Sequence, residues 1–337
     1  MANSQGTQRS VALSKETTFG TKPAKNTAKL LPRIETSLNV NFDAFQSGEI
    51  RTDMQRAASI VGFEKVEGDV KGELAAGQWA WAFAAALRGA FGAEAKPPMI
   101  KKTANGQGEK NGKILVVPQT AHTTDSFTIE DWFKDIGLSR QYLGCRVSKL
   151  SLEVEPNGIA SVTVTFLGQR GEEQTAQYFT NPSDIAQSGK LAGVKGSLQL
   201  NKQQMALITS FKLDIDLNAS SEAVLGATYA PDVFIGTVAV SGSFTMYLQN
   251  KAMIDAVRLG TNLSLALRMD AETSNDSDYM AIILPAIKVT SSEIDDGAKN
   301  LMQTLNFDAF PGVWDAASTI DDRLKIATTM IVQDTLA

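Results

Sequence analysis

Two residue types that do most soluble-protein chemistry are nearly absent. The chain has one cysteine, Cys145, and one histidine, His122. A zinc site draws three or four ligands from such side chains, and this pair alone cannot supply them. A Cys–His nucleophilic pair is conceivable, but Cys145 opens an apolar strand pattern, where a small buried thiol is expected. His122 lies among Thr and Ala before a strand and reads as a loop residue. Carboxylates are plentiful: Glu153, Glu155, Asp214, Asp216, Asp295 and Asp296. Glycosidases work with a carboxylate pair. Here most of these acids fall at alternate positions, as a solvated strand face requires, and no aromatic platform accompanies them. The run from Gly106 to Lys113 carries glycines and lysines, yet its spacing fits neither the P-loop nor the dinucleotide fingerprint. Sequons at Asn218, Asn262 and Asn275 carry no weight in a cytoplasmic product. The expectation is no enzyme, no catalytic residue, no metal and no cofactor.

Composition narrows the partners. The 337 residues carry a net charge of -5, a poor match for a protein that grips phosphates. One cysteine cannot form an internal disulfide. The polar N-terminus has no apolar signal core, and no run approaches a membrane span. No membrane partner is expected, and synthesis is expected in a cytoplasm.

Alternation then defines the elements. In 36–43, Leu38, Val40 and Phe42 share one face and Asn39, Asn41 and Asp43 the other. In 65–74, Val66, Val70 and Leu74 oppose Lys65, Glu67, Asp69, Lys71 and Glu73. In 148–155, Leu150, Leu152 and Val154 oppose Lys149, Glu153 and Glu155, and Val162, Val164 and Phe166 follow after a Pro156-Asn157-Gly158 turn. This period of two marks strands with one buried and one wet face. The alanine-rich, aromatic stretch 77–91 reads as a buried helix. Residues 93–125 read as a long polar loop.

The second half echoes the first. Residues 36–43 match 209–216 in pattern, setting Leu38 against Phe211. The strand ending in Val70 and Leu74 matches 238–246, setting Val240, Gly242 and Phe244 against Val70, Gly72 and Leu74. A helix follows in each case, at 77–91 and at 249–260. Two copies of one β-rich domain are expected, at 30–170 and 204–311, with an N-terminal arm (1–29), a linker (171–203) and a C-terminal tail (312–337).

Several segments together resemble the major tail tube proteins of long-tailed bacteriophages. They are KETTFGTKP near the start, SGEIRTDMQ at 47–55, VEGDVKGEL before the helix, SFTIEDWFKDIG at 126–137 and YLGCRVSKLSLEVEPNG at 142–158. The resemblance implies a mainly β fold of tandem β-sandwich domains, each with a flanking helix, whose sheets join between subunits into a barrel-like tube. It implies a virion tail location, rings that stack, tape-measure and tail-tip proteins as partners, and DNA that passes without specific binding. From the repeat, three two-domain chains would make a pseudo-sixfold ring, with a true hexamer as the alternative. A minor tail component or an Ig-like adhesin built of repeated β-domains is the competing reading.

Two residue sets follow. Lumen-lining candidates are Asn39, Asn41, Asp43, Lys65, Glu67, Asp69, Lys71, Glu73, Lys149, Glu153, Glu155, Lys212, Asp214 and Asp216. Their net negative wall would repel phosphates. Glu49, Arg51, Asp53 and Arg56 alternate in sign and are candidates for an inter-subunit contact.

Overall fold

Period-2 alternation becomes strands throughout. The computed structural model describes residues 4–337 apart from 51, 57, 100–108, 206, 250, 275 and 296–299. Among the described residues there are fifteen strands of four or more residues and two α-helices. The first half contains β1 (Arg9–Lys15), β2 (Asn39–Phe45), β3 (Ile60–Glu73), α1 (Ala80–Ala86), β4 (Gly112–Val116), β5 (Phe127–Phe133), β6 (Leu138–Val154), β7 (Ser161–Gly168) and β8 (Arg170–Gln174). The second contains β9 (Gly196–Leu200), β10 (Ile208–Asp216), β11 (Ala239–Tyr247), α2 (Ala252–Leu259), β12 (Leu263–Asp270), β13 (Tyr279–Ile294), β14 (Met302–Phe310) and β15 (Ile331–Asp334).

Eight strands form one continuous antiparallel sheet in the order β2-β3-β7-β6-β10-β11-β14-β13. β6 and β13 are long enough to serve two sheets. Their C-terminal halves belong to the eight-stranded sheet and their N-terminal halves to outer sheets. There β6 pairs with β5 and β8, and β5 with β1. Likewise β13 pairs with β12 and β15, and β12 with β9. The pairing order β2-β3-β7-β6 therefore recurs as β10-β11-β14-β13. A bulge at Ser148 interrupts the β6–β7 ladder, and one at Thr290 interrupts β13–β14.

Counted from these matched bulges, the ladders equate Val70 with Phe244 and Leu38 with Leu213. Alternation alone set the matches two to four residues away. An even slip keeps every side chain on its own face, so the faces survive while the register does not. The corrected register superposes Gly68 on Gly242. A Cβ on Gly68 would sit 2.6 Å from the Leu38 Cα, and one on Gly242 only 2.3 Å from the Lys212 carbonyl oxygen. Both mark close approach of neighbouring backbone.

The core lies between the sheets. Val66, Val70, Leu150, Leu152, Val164 and Phe166 from the first half share one apolar cluster with Leu213, Ile215, Phe244, Leu305 and Phe307 from the second. Helix α1 enters this cluster through Ala82, Phe83 and Ala86, at helical spacing. Next to it, the Trp79 indole N–H donates to the Glu73 carbonyl at 2.9 Å. The helix is shorter than 77–91 because Arg88 turns to φ +54, the left-handed region.

Four segments without alternation prove to be structured. The expected arm contains β1, whose Val11, Ala12 and Leu13 are buried against β5. The expected linker contains most of β8 and all of β9. The expected tail contains β15, inserted between β13 and β4. The expected loop 93–125 contributes β4, which thus crosses from the first half to the second. β1 and β15 are buried over consecutive residues and so show no polar–apolar rhythm, which is why they read as irregular.

Candidate functional surface

The wet side of the eight-stranded sheet gathers the alternating polar residues into rows. In one row Glu73 faces Ser161, then Glu153, Lys212, Ser243 and Asn306. In the next, Lys71 faces Thr163, then Ser151, Asp214, Ser241 and Asp308. A third runs Asp69, Thr165, Lys149, Asp216. Asn39 and Asn41 face Glu67 and Lys65 on the same side. Asp43 lies where the β2–β3 ladder shifts register, and Glu155 lies just beyond β6. The fourteen candidates thus share one face or its margin.

Ion pairs cross the strands of this face. Lys212 Nζ lies 3.1 Å from Glu153 Oε1, and Lys149 Nζ 3.2 Å from Asp214 Oδ1. The Ser151 hydroxyl also donates to Asp214, at 2.5 Å. Within β3, Lys65 meets Glu67 at 2.9 Å, and Lys190, from outside the sheet, approaches Glu73 at 3.8 Å. The hydrogen bond to Glu67 raises the Lys65 pKa, and that to Glu153, followed by the charge of Asp214, raises that of Lys212. Among the candidates, eight acids stand against four lysines, so the face is net acidic.

The sheet ends in two bare edges. Among the described residues, Asn39–Phe45 pairs only with β3, and residues 291–294 pair only with β14. The 46–59 hairpin beside the first edge exposes Ile50 and Met54 almost fully, at 101% and 98%. Glu49, Asp53 and Arg56 are exposed on it, and Arg51 lies outside the described residues.

The equivalent hairpin of the second half, 217–238, behaves differently because it lies on the first half. Arg146 donates to the Val233 carbonyl and pairs with Asp232 at 2.9 Å. The Gln169 amide donates to the Ala230 carbonyl at 2.8 Å, and the Glu64 N–H to that of Thr228 at 2.7 Å. The Arg170 guanidinium sits 5.3 Å from the Tyr229 ring. Sequence reasoning missed these contacts, because the charge at Arg146 sits within an apolar strand.

Other buried charges hold the structure together. Arg268 is enclosed by Glu109, Asp270 and the Tyr279 ring, with its guanidinium carbon 4.1 Å from the ring centroid. Burial pushes the Asp334 carboxyl up to about 6, although the amides of Gly77 and Leu336 donate to it and pull the other way. Glu16 accepts from Ser126, Thr128 and the Gly144 amide. Cys145 is a free thiol, and burial pushes its pKa well up. His122 is exposed in a loop. Among the described residues, no three His, Cys, Asp or Glu side chains cluster as metal ligands, and no helix is long and apolar enough to cross a membrane.

The architecture is mainly β, with one long sheet whose outer face is polar. The family model for phage tail tube proteins matches residues 6–309, and the chain belongs to that family. It is a structural protein of the virion tail, of a family that assembles into the tail tube. A comparison with curated proteins finds no significant match.

Proposed function

We propose that the chain polymerises into stacked rings that form the conduit for DNA, and that it holds two copies of one tube domain. The recurring order of four strands carries this reading. The eight-stranded sheet is two four-stranded units joined head to tail through β6 and β10. Repetition of one operation around an axis closes a sheet into a ring and removes its edges. Three chains then present six units in pseudo-sixfold symmetry. A ring of six chains is the alternative.

The polar face lines the lumen in this reading. Its excess of acids repels passing phosphates, and its Ser and Thr rows add neutral wetted surface. Rings stack on a template supplied by tail-tip and tape-measure proteins. Electron microscopy of the purified protein, with native mass spectrometry to count chains, tests the proposal. Annuli of three chains are the expected result. Material that stays single under all assembly conditions would overturn it.

A further inference from the structure

The internal seam between β6 and β10 is a worked example of how two tube units meet. Across it, Asp216 faces Lys149, Asp214 faces Ser151 and Leu213 faces Leu152. The Leu217 amide also donates to the Ser148 carbonyl at 2.9 Å, beside the bulge. Each partner has a counterpart at a bare edge. The ladders equate β10 with β2, so that Leu213, Asp214, Asp216 and Leu217 correspond to Leu38, Asn39, Asn41 and Phe42. They equate β6 with β13, so that Ser148 corresponds to Thr290 and Arg146 to Lys288.

Burial tracks the presence of a neighbour. Leu217 is wholly buried because the first half covers it, whereas Phe42 at the matching place is 57% exposed. Val233 and Ala230 of the 217–238 hairpin are wholly buried on the first half. Ile50 and Met54 of the matching 46–59 hairpin are bare. Lys288, standing where Arg146 receives the hairpin, is exposed beside the half-exposed ring of Phe310.

From this asymmetry, and resting on the ring proposed above, we infer that the β2 edge of one copy pairs antiparallel with the β13 edge of a second copy. The register sets Asn41 opposite Ser291, Asn39 opposite Glu293 and Leu38 opposite Ile294. The 46–59 hairpin then lies over Lys288 of the neighbour, as 217–238 lies over Arg146. Polar-face pairs join one neutral group to another or to a single charge, so no like charges meet. Phe42, Ile50 and Met54 leave water on assembly.

Disulfide trapping in assembled tubes tests the register. Directly opposed strand residues have Cα atoms within disulfide reach, and residues two further along do not share it. In one chain the two edges lie about 34 Å apart along the sheet, seven strand spacings of about 4.8 Å, so any link joins two copies. Asn39→Cys with Glu293→Cys, mildly oxidised after assembly, should convert most chains to covalent multimers. Asn39→Cys with Ser291→Cys, a slip of two, should link several-fold less. Tubes that stay unlinked with the first pair, or that link better with the second, would overturn the register while leaving the ring reading intact. Should the cysteine variants not assemble, hydrogen exchange of the unaltered protein decides. Protection gained at 38–42 and 291–294 on assembly supports the pairing, and unchanged exchange at both overturns it. Unaltered protein that never forms rings would remove both readings.

Discussion

Lys212 on β10 reaches Glu153 on β6 at 3.1 Å, across the seam where the two halves of the chain meet. One residue along and on the opposite face, Leu213 faces Leu152, both fully buried. The two contacts lie side by side in one ladder and differ in solvent. Both Lys212 and Glu153 side chains are nearly half exposed, and exposed ion pairs are worth under about 1 kcal/mol. Truncating a buried leucine costs about 2–5 kcal/mol. Lys212→Ala should therefore barely move the urea midpoint, and Leu213→Ala should lower it markedly. Equal effects in urea titrations would mean the seam is held by its charges.

Asp334 sets a pH dependence. Its folded pKa, about 6, lies above the ordinary 3.8 because burial disfavours the charge. Between these values the folded state holds a proton that the unfolded chain has released. Its contribution is full below about pH 4 and is lost as pH rises through 6, by roughly 3 kcal/mol at most. Asp334→Asn should remove this component, so the difference between variant and parent in chemical denaturation should change from pH 4 to pH 7. A constant difference would show that Asp334 does not titrate in that window.

Gly242 stands where a methyl group would meet the Lys212 carbonyl oxygen at 2.3 Å, and the first contact is backbone. Gly242→Ala should destabilise by more than about 1 kcal/mol, by pushing β11 away from β10. Ser243→Ala, next door on the wet face, should change little. Thermal melts of the two variants give the comparison.

The lumenal assignment predicts a kinetic effect. Asp69→Lys with Glu155→Lys leaves the Lys212–Glu153 and Lys149–Asp214 pairs in place and turns two acids into two bases. Assembly should proceed, and DNA ejection from phage carrying the variant should slow severalfold and depend more steeply on salt. Ejection at the parental rate would place this face outside the lumen.

Alternation made the faces legible before any coordinates. Leu150, Leu152 and Val154 lie inward, and Lys149 and Glu153 outward, as period two requires. Register was not legible, since Val70 matches Val240 or Phe244 equally well by polarity and only hydrogen bonds choose. Strands such as Ile331–Asp334 escaped notice for another reason. Gln333 and Asp334 are wholly buried there; the Gln333 amide N–H donates to the Ala95 and Gly112 carbonyls, and Asp334 accepts from the Gly77 amide. A polar pair at the end of a chain reads as solvated, because its partners lie more than 200 residues away. The Arg268 cluster was hidden for the same reason, with Glu109 lying 159 residues away.

Leu138–Val154 and Tyr279–Ile294 each pass without a break from an outer sheet into the polar one. A layer can slide over its neighbour only if nothing rigid ties them, and here covalent backbone does so twice per chain. Flexing of any assembly built from this chain must therefore be taken up between subunits, with each subunit acting as a stiff link.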